Sequence, residues 1–285
     1  MIHEIAPYVF HNEYKPRAPK PDDYIFIYGK NQVVLDCTDE KAPRAPTFAD
    51  VERYNPKLTY LFRIDETAFF LLALKDLPAE GFTEADGYKP QPTFVFNMLQ
   101  PRYMAFAGLT AAHIAGWYEK RHICGRCGAT LVHSEVERKM DCPECHAEEF
   151  PQINPVVIVG VTDGDKLMLT RYANRPVTHF ALIAGFAEIG ESFEECVQRE
   201  VREEVGLRVK NIRFYKSQPW AMSGSLLAGF YCDLDGDGTV TLQEDELSEG
   251  VWIPRGEIPV QDVGFALTAE MIERFRVGKE NEPLN

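Results

Sequence analysis

Residues 185–207 constrain this chain more than any other stretch. They read G-F-A-E-I-G-E-S-F-E-E-C-V-Q-R-E-V-R-E-E-V-G-L. Ser192 followed by Glu195 is the signature of a capping box that starts a helix. Gly206 stands where a left-handed residue would end it. Between them Phe193, Val197, Val201 and Val205 recur every four residues and make one apolar stripe. Glu200, Glu203 and Glu204 fall at i, i+3 and i+4 and share another face. The fold must therefore bury one side of this helix and leave a fixed cluster of acids on another. Carboxylates held that close repel one another and call for cations. Their oxygens suit hard ions such as Mg²⁺ or Mn²⁺. The plainer reading of the same residues is a solvated acidic face.

The other bounds are broad. The 285 residues allow one large domain or two to three small ones. No apolar run approaches the roughly 20 residues that span a bilayer. The opening M-I-H-E-I-A-P-Y-V-F has no basic region followed by an apolar segment, so no signal peptide is expected. A formal charge of −14 argues against broad nucleic-acid or anionic-membrane binding. Metals could still invert the local field for a phosphate substrate. Seven cysteines, with Cys37, Cys196 and Cys232 isolated, fit a reducing cytoplasm better than a disulfide framework.

Along the chain, residues 1–23 read as an irregular lead-in. Residues 24–28, 32–35, 59–64 and 68–74 read as strands, and 101–121 as a helix. Cys124-x-x-Cys127 and Cys142-x-x-Cys145 follow, with fourteen residues between the pairs. Two such knuckles aim four thiolates at one ion, the ligand set of a closed structural zinc site. A redox dithiol is the competitor, and it would need only one pair. His122, His133 and His146 are read as surface residues beside a site already complete. Beyond residue 150, strands are expected at 156–161, 166–170, 181–184, 212–216, 226–232 and 250–253. A closing helix is expected at 268–276.

The stretch after Gly185 fits G-x5-E-x7-R-E-U-x-E-E-x-G-U, with U aliphatic, at every position. It resembles the Nudix box. The zinc knuckles directly before it, a further domain ahead of those, and Ser217-Gln218-Pro219-Trp220 ten residues after it make the chain similar to the NADH pyrophosphatase family. That resemblance covers nearly the whole chain and is specific over residues 117–253. It implies an α+β protein in three parts. These are an N-terminal Nudix-like or dimerisation domain at 1–121, a four-cysteine zinc ribbon at 122–149, and an α/β/α Nudix domain with a mixed sheet at 150–285.

The implied roles follow position by position. The carbonyl of Ala184 with Glu200, Glu203, Glu204 and Glu246 would hold two or three Mg²⁺ or Mn²⁺ ions, Glu203 being the one that could instead activate water. Arg199 and Glu191 belong to the box. Phe186 would stack on a base, and Phe150 would reach the site of a partner protomer. Glu137, Ser217, Gln218, Pro219, Trp220, Ser225 and Ala266 match substrate-contact positions. The implied activity is hydrolysis of the diphosphate of NADH or NAD⁺ to NMN(H) and AMP, by a homodimer. ADP-ribose and NAD-capped RNA are rival substrates. The family's S-Q-P-W-P-F-P-x-S is altered here, because Ala221-Met222-Ser223 replaces P-F-P. Two rigid φ angles and a ring are lost, so NADH is expected to be preferred by a smaller margin than in relatives that keep P-F-P.

One motif points elsewhere. Residues 233–244, D-L-D-G-D-G-T-V-T-L-Q-E, fit the EF-hand loop at each ligand position. The β-like residues 226–232 before them argue against it, since an EF-hand needs a helix there. A calcium-responsive module and a non-catalytic nucleotide-binding regulator are the two alternatives to an enzyme. The second usually shows broken box acids, and none is broken here.

Overall fold

The computed structural model describes residues 1–77, 82, 86–173, 180–243, 245–262 and 264–283. Two compact units emerge, one of residues 2–152 and one of residues 153–285 with Met1.

The first unit is built on six strands and a long helix. In chain order these are β1 (Phe10–His11), β2 (Tyr24–Gly29), β3 (Gln32–Asp36), a one-turn helix α1 (Phe48–Val51), β4 (Thr59–Ile64), β5 (Thr67–Ala73), β6 (Tyr88–Pro92) and α2 (Arg102–Lys120). The sheet order is β1-β4-β5-β2-β3-β6, with β2 and β5 parallel and the other pairs antiparallel. Phe26, Phe62, Phe69 and Phe96 are almost wholly buried in it. Strand β6 escaped the sequence reading because it carries Pro90 and Pro92. It pairs only with β3, at the sheet edge, where a missing N–H is tolerated.

The ribbon belongs to this unit. Its strands β7 (Val132–His133), β8 (Met140–Asp141) and β9 (Glu148–Glu149) form a small antiparallel sheet. Arg138, between β7 and β8, anchors it. The guanidinium donates to the carbonyl of Leu61 and to the carbonyl and side chain of Asn12, and it lies over the ring of Tyr14.

The second unit holds β10 (Asn154–Asp163), β11 (Lys166–Tyr172), β12 (Ile183–Phe186), α3 (Phe193–Val205), β13 (Val209–Trp220), β14 (Ser225–Leu234), β15 (Leu247–Pro254) and α4 (Leu267–Arg276). The order is β13-β14-β10-β11-β15, and β12 pairs with β10. Only β10 and β14 run parallel. Alternation along β10 feeds two cores. Val157, Val159 and Val161 pack with Val197, Val201 and Val205 of α3, while Val156 and Ile158 pack with Leu267, Met271 and Phe275 of α4. The sheet is thus covered by a helix on each face, as expected of an α/β/α unit. Strand β13 is longer than the expected 212–216. It runs on through Ser217-Gln218-Pro219-Trp220, and its edge position accommodates Pro219. No helix among the described residues is long and apolar enough to cross a membrane.

Candidate active site

The box helix is held at both ends as its sequence dictates. The Ser192 hydroxyl accepts from the Glu195 N–H at 3.3 Å, and the Glu195 carboxylate accepts from the Ser192 N–H at 2.8 Å. Gly206 ends the helix at φ +72°. Val197, Val201 and Val205 are fully buried, which sets the acids on the adjoining face, with Glu204 itself buried.

Gly185 explains the strand before the helix. A Cβ at this position would come within 1.8 Å of the Glu200 carboxyl carbon. Only glycine lets that carboxylate lie directly against β12.

Glu246 comes from far along the chain, and the helix end brings it in. The last carbonyls of an α-helix lack partners within the helix. Here the carbonyls of Glu204 and Val205 accept from the N–H groups of Gln243 and Thr241, both at 3.0 Å. The Ala173 N–H then donates to the Glu246 carbonyl at 2.8 Å. These bonds pin Thr241, Gln243 and Glu246 beside the acids of α3.

The result is a cleft of about 940 Å³. Ala184, Phe186, Arg199, Glu200, Glu203, Trp220, Glu246 and Ala266 all line it, so the structure gathers eight of the anticipated residues. Phe186, in that lining, is 54% exposed. Glu191 stands behind Arg199. That arginine donates from Nε and Nη2 to Glu191 at 2.5 and 2.9 Å. Its Nη1 donates to Glu200 at 2.6 Å and to Glu203 at 3.0 Å. The Arg199 guanidinium, with a backbone hydrogen bond at Glu188, lowers Glu191 to about 2.

Glu204 lies beneath, 2% exposed, and its Oε2 has no hydrogen-bond partner among the described residues. Burial first, then the charge of Glu200, pushes its carboxyl up to about 8, although a backbone hydrogen bond at Ala184 works the other way. Burial also raises Glu200, against the pull of Arg199. An acid cluster with one arginine and an orphaned buried oxygen is short of positive charge. The residues present fit divalent cations.

Several anticipated residues are placed elsewhere. Ser217 and Pro219 are exposed on β13, Ser225 is buried and bonded to Ser223, and Gln218 is wholly buried. Glu137 and Phe150 stand on the ribbon in the first unit. Tyr172, Glu188, Gln243, Asp245 and Thr268 line the cleft without having been anticipated. Asp245 could have been suspected from its place beside Glu246. The others carry no local signal.

The EF-hand-like run does not present a cation cage among the described residues. Strand β14 leads straight into it, so the required helix is absent. Asp233 accepts from Arg213 and Asn211, Asp235 from Lys210, and Asp237 from Thr239. Glu244 lies outside the described residues.

The four ribbon cysteines do converge. Their sulfurs lie within 4.8 Å of one another, with Cys124–Cys145 at 3.6 Å and Cys127–Cys142 at 3.4 Å. Each knuckle is closed by the same pair of backbone bonds. Gly128 N–H donates to the Cys124 carbonyl and Cys124 N–H to that of Ala129, and His146 and Ala147 play the same parts around Cys142. The geometry suits a structural zinc. The three nearby histidines are exposed, as expected.

Comparison with known proteins agrees with this geometry. Residues 152–275 match the NUDIX domain and residues 122–150 the NADH pyrophosphatase zinc ribbon domain. The chain carries a Nudix domain. A protein of Pseudomonas putida called NAD-capped RNA hydrolase NudC is 36% identical over 165 residues, 58% of this chain and 59% of that protein. One of the same name from Pseudomonas fluorescens is 40% identical over the same shares. The match thus spans 59% of the length of these curated relatives. A solved Nudix hydrolase from Nitrosomonas europaea aligns with a TM-score of 0.48 at 22% identity, covering 56% of this chain and 93% of that one. In this Nudix domain the box supplies α3, and the residue before its first glycine, Ala184, lines the cleft.

Proposed function

We propose that this chain is a hydrolase that depends on divalent metal and splits the diphosphate of NADH or NAD⁺ into NMN(H) and AMP. The observation that carries this reading is the meeting of Glu200, Glu203 and Glu246 at one cleft, above a buried Glu204 with an unpartnered oxygen. Glu200, Glu204 and Glu246, with the Ala184 backbone, would hold Mg²⁺ or Mn²⁺, two or three ions per site. Ions bound there would polarise a diphosphate and lower the pKa of a water, so that hydroxide would be available to attack near neutral pH.

The remaining work falls to the chain's own side chains. Arg199 restrains Glu200 and Glu203 and offsets part of their charge. Glu203, with about half of its side chain exposed, can take the proton of the attacking water. Phe186 and Trp220 offer flat surfaces for a base. The acids hold charge where negative oxygens must be received, which is possible only with cations between them.

The NAD-capped end of an RNA contains the same diphosphate, and the name of the relatives favours it as a second substrate. A homodimer, the part of Phe150 in it and the substrate contact of Glu137 rest on the family resemblance, with the half-exposed Phe150 ring as support. All seven cysteines are free, which fits a reducing cytoplasm.

The test is purified protein with Mg²⁺ or Mn²⁺ against NADH, NAD⁺, ADP-ribose and NAD-capped RNA, products resolved. NMNH and AMP from NADH, abolished by chelator, is the expected result. No cleavage of any of the four would overturn the reading.

A further inference from the structure

Gln218 is the one residue of the Ser217-Gln218-Pro219-Trp220 run with no exposed surface. Both polar atoms of its amide are bonded, and across a long stretch of chain. Nε2 donates to the Phe265 carbonyl at 2.8 Å, and Oε1 accepts from the Leu267 N–H at 2.7 Å. Helix α4 begins at Leu267 behind Ala266, whose methyl group cannot cap it. The first N–H groups of a helix lack partners within it. Gln218 supplies one from β13. Two residues on, and so on the same side of the strand, Trp220 meets the Phe265 ring edge-on at 5.5 Å. The two side chains clasp residues 265–267, and Ala266 with Thr268 lines the cleft.

We propose that Gln218 is a positioning residue for substrate recognition, one that never touches the substrate. It fixes residues 265–268 as the cleft wall that receives the part of the substrate remote from the diphosphate. This rests on the hydrolysis proposed above. Apart from Glu188, the cleft's acids come from α3 and residues 245–246, whereas Val156, Ile158, Trp220, Leu227 and Ala266 give it an apolar lining suited to a base. A buried amide is costly to leave half-bonded, so the clasp has one favoured geometry. A wall touched equally in the ground and transition states acts on KM and not on kcat.

The experiment compares wild-type protein with Gln218→Met and Gln218→Glu. The first keeps the length and loses both bonds. The second keeps an acceptor for Leu267 and loses the donor to Phe265. With Mg²⁺ and NADH, KM should rise on the order of tenfold in the methionine variant and less in the glutamate variant, with kcat within about threefold. Amide hydrogen exchange over 265–268 should quicken in the same order. Unchanged KM in a folded variant, a fall in kcat at constant KM, or unchanged exchange would each overturn the proposal. Should the methionine variant not fold, the glutamate variant decides by the same criteria. Wild-type protein inactive on every dinucleotide overturns the hydrolysis reading itself and, with it, the recognition role, while exchange still reports whether the clasp exists.

Discussion

Asp23 in the first unit and Glu204 in the second are equally buried, each 2% exposed, yet their surroundings push them in opposite directions. Burial raises Asp23, but Arg17 and the N–H groups of Lys20 and Ala68 outweigh it and hold the carboxyl below its ordinary value. The contacts are short, 2.6 and 2.8 Å from the two Arg17 nitrogens, 2.6 Å from Lys20 and 2.8 Å from Ala68. Glu204 has one oxygen without a partner among the described residues and carboxylates for neighbours, and it is raised to about 8. Both units contain a six-stranded sheet with one parallel pair. A compensated buried charge serves the fold, and an uncompensated one marks where a ligand must complete the charge balance.

The comparison can be broken most forcefully at Glu204. Glu204→Gln keeps the shape and removes a charge from the acid cluster. Turnover should fall on the order of 10²–10⁴-fold. Melting of the metal-free protein should stay level or rise, because the buried charge is unfavourable without an ion. A variant that melts much lower and retains its turnover would reverse the contrast.

In the first unit the same logic predicts loss of stability with the chemistry intact. Cys124→Ser should lower zinc from about one per chain and lower the melting temperature, since metal binding is coupled to folding of the ribbon. Because Arg138 ties the ribbon to the carbonyl of Leu61 on β4, the loss should spread through the unit, as exchange at residues 59–64 would report. The folded fraction should keep its turnover.

Asp23→Asn should cost about 3 kcal/mol by leaving the Arg17 guanidinium without its charge partner. That is a fall of roughly 6–12 °C for a unit of this size. The smallest effect is its pH dependence. Because the folded value of Asp23 is lowered, its contribution is present above the ordinary aspartate range and is lost as pH falls through the lowered value. The gap between wild type and variant should therefore be full near pH 6 and shrink below about pH 4. A gap that widens in acid would contradict the assignment.

Much of the second unit was legible because its rules are local. The capping box, the valine stripe and the terminal glycine each need only neighbours a few residues away, and the structure has them as read. The knuckles are equally local, four thiols and two identical turns. What escaped depends on distant pairing. Gln218 looks like any polar residue of a motif until Phe265 and Leu267 are placed against it. Strand β6 was hidden by its prolines, and the run through Trp220 by Pro219, because sequence alone does not say which strands lie at an edge. The EF-hand-like loop shows the reverse case. Its pattern fits, but Arg213, Asn211 and Lys210, which no pattern includes, occupy its acids. Asp23 was invisible for the same reason, since three of its four donors lie within six residues but nothing marks it as buried.

The central claim is that Glu204 is short of a cation. It is tested most directly by titrating Mn²⁺ into wild-type protein and Glu204→Gln near pH 7.5, with free Mn²⁺ followed by electron paramagnetic resonance. Wild-type protein should bind Mn²⁺, and the variant should bind it at least about tenfold more weakly, as expected when one charged ligand is removed. Equal affinity in the two proteins, or no binding by either, would contradict the account.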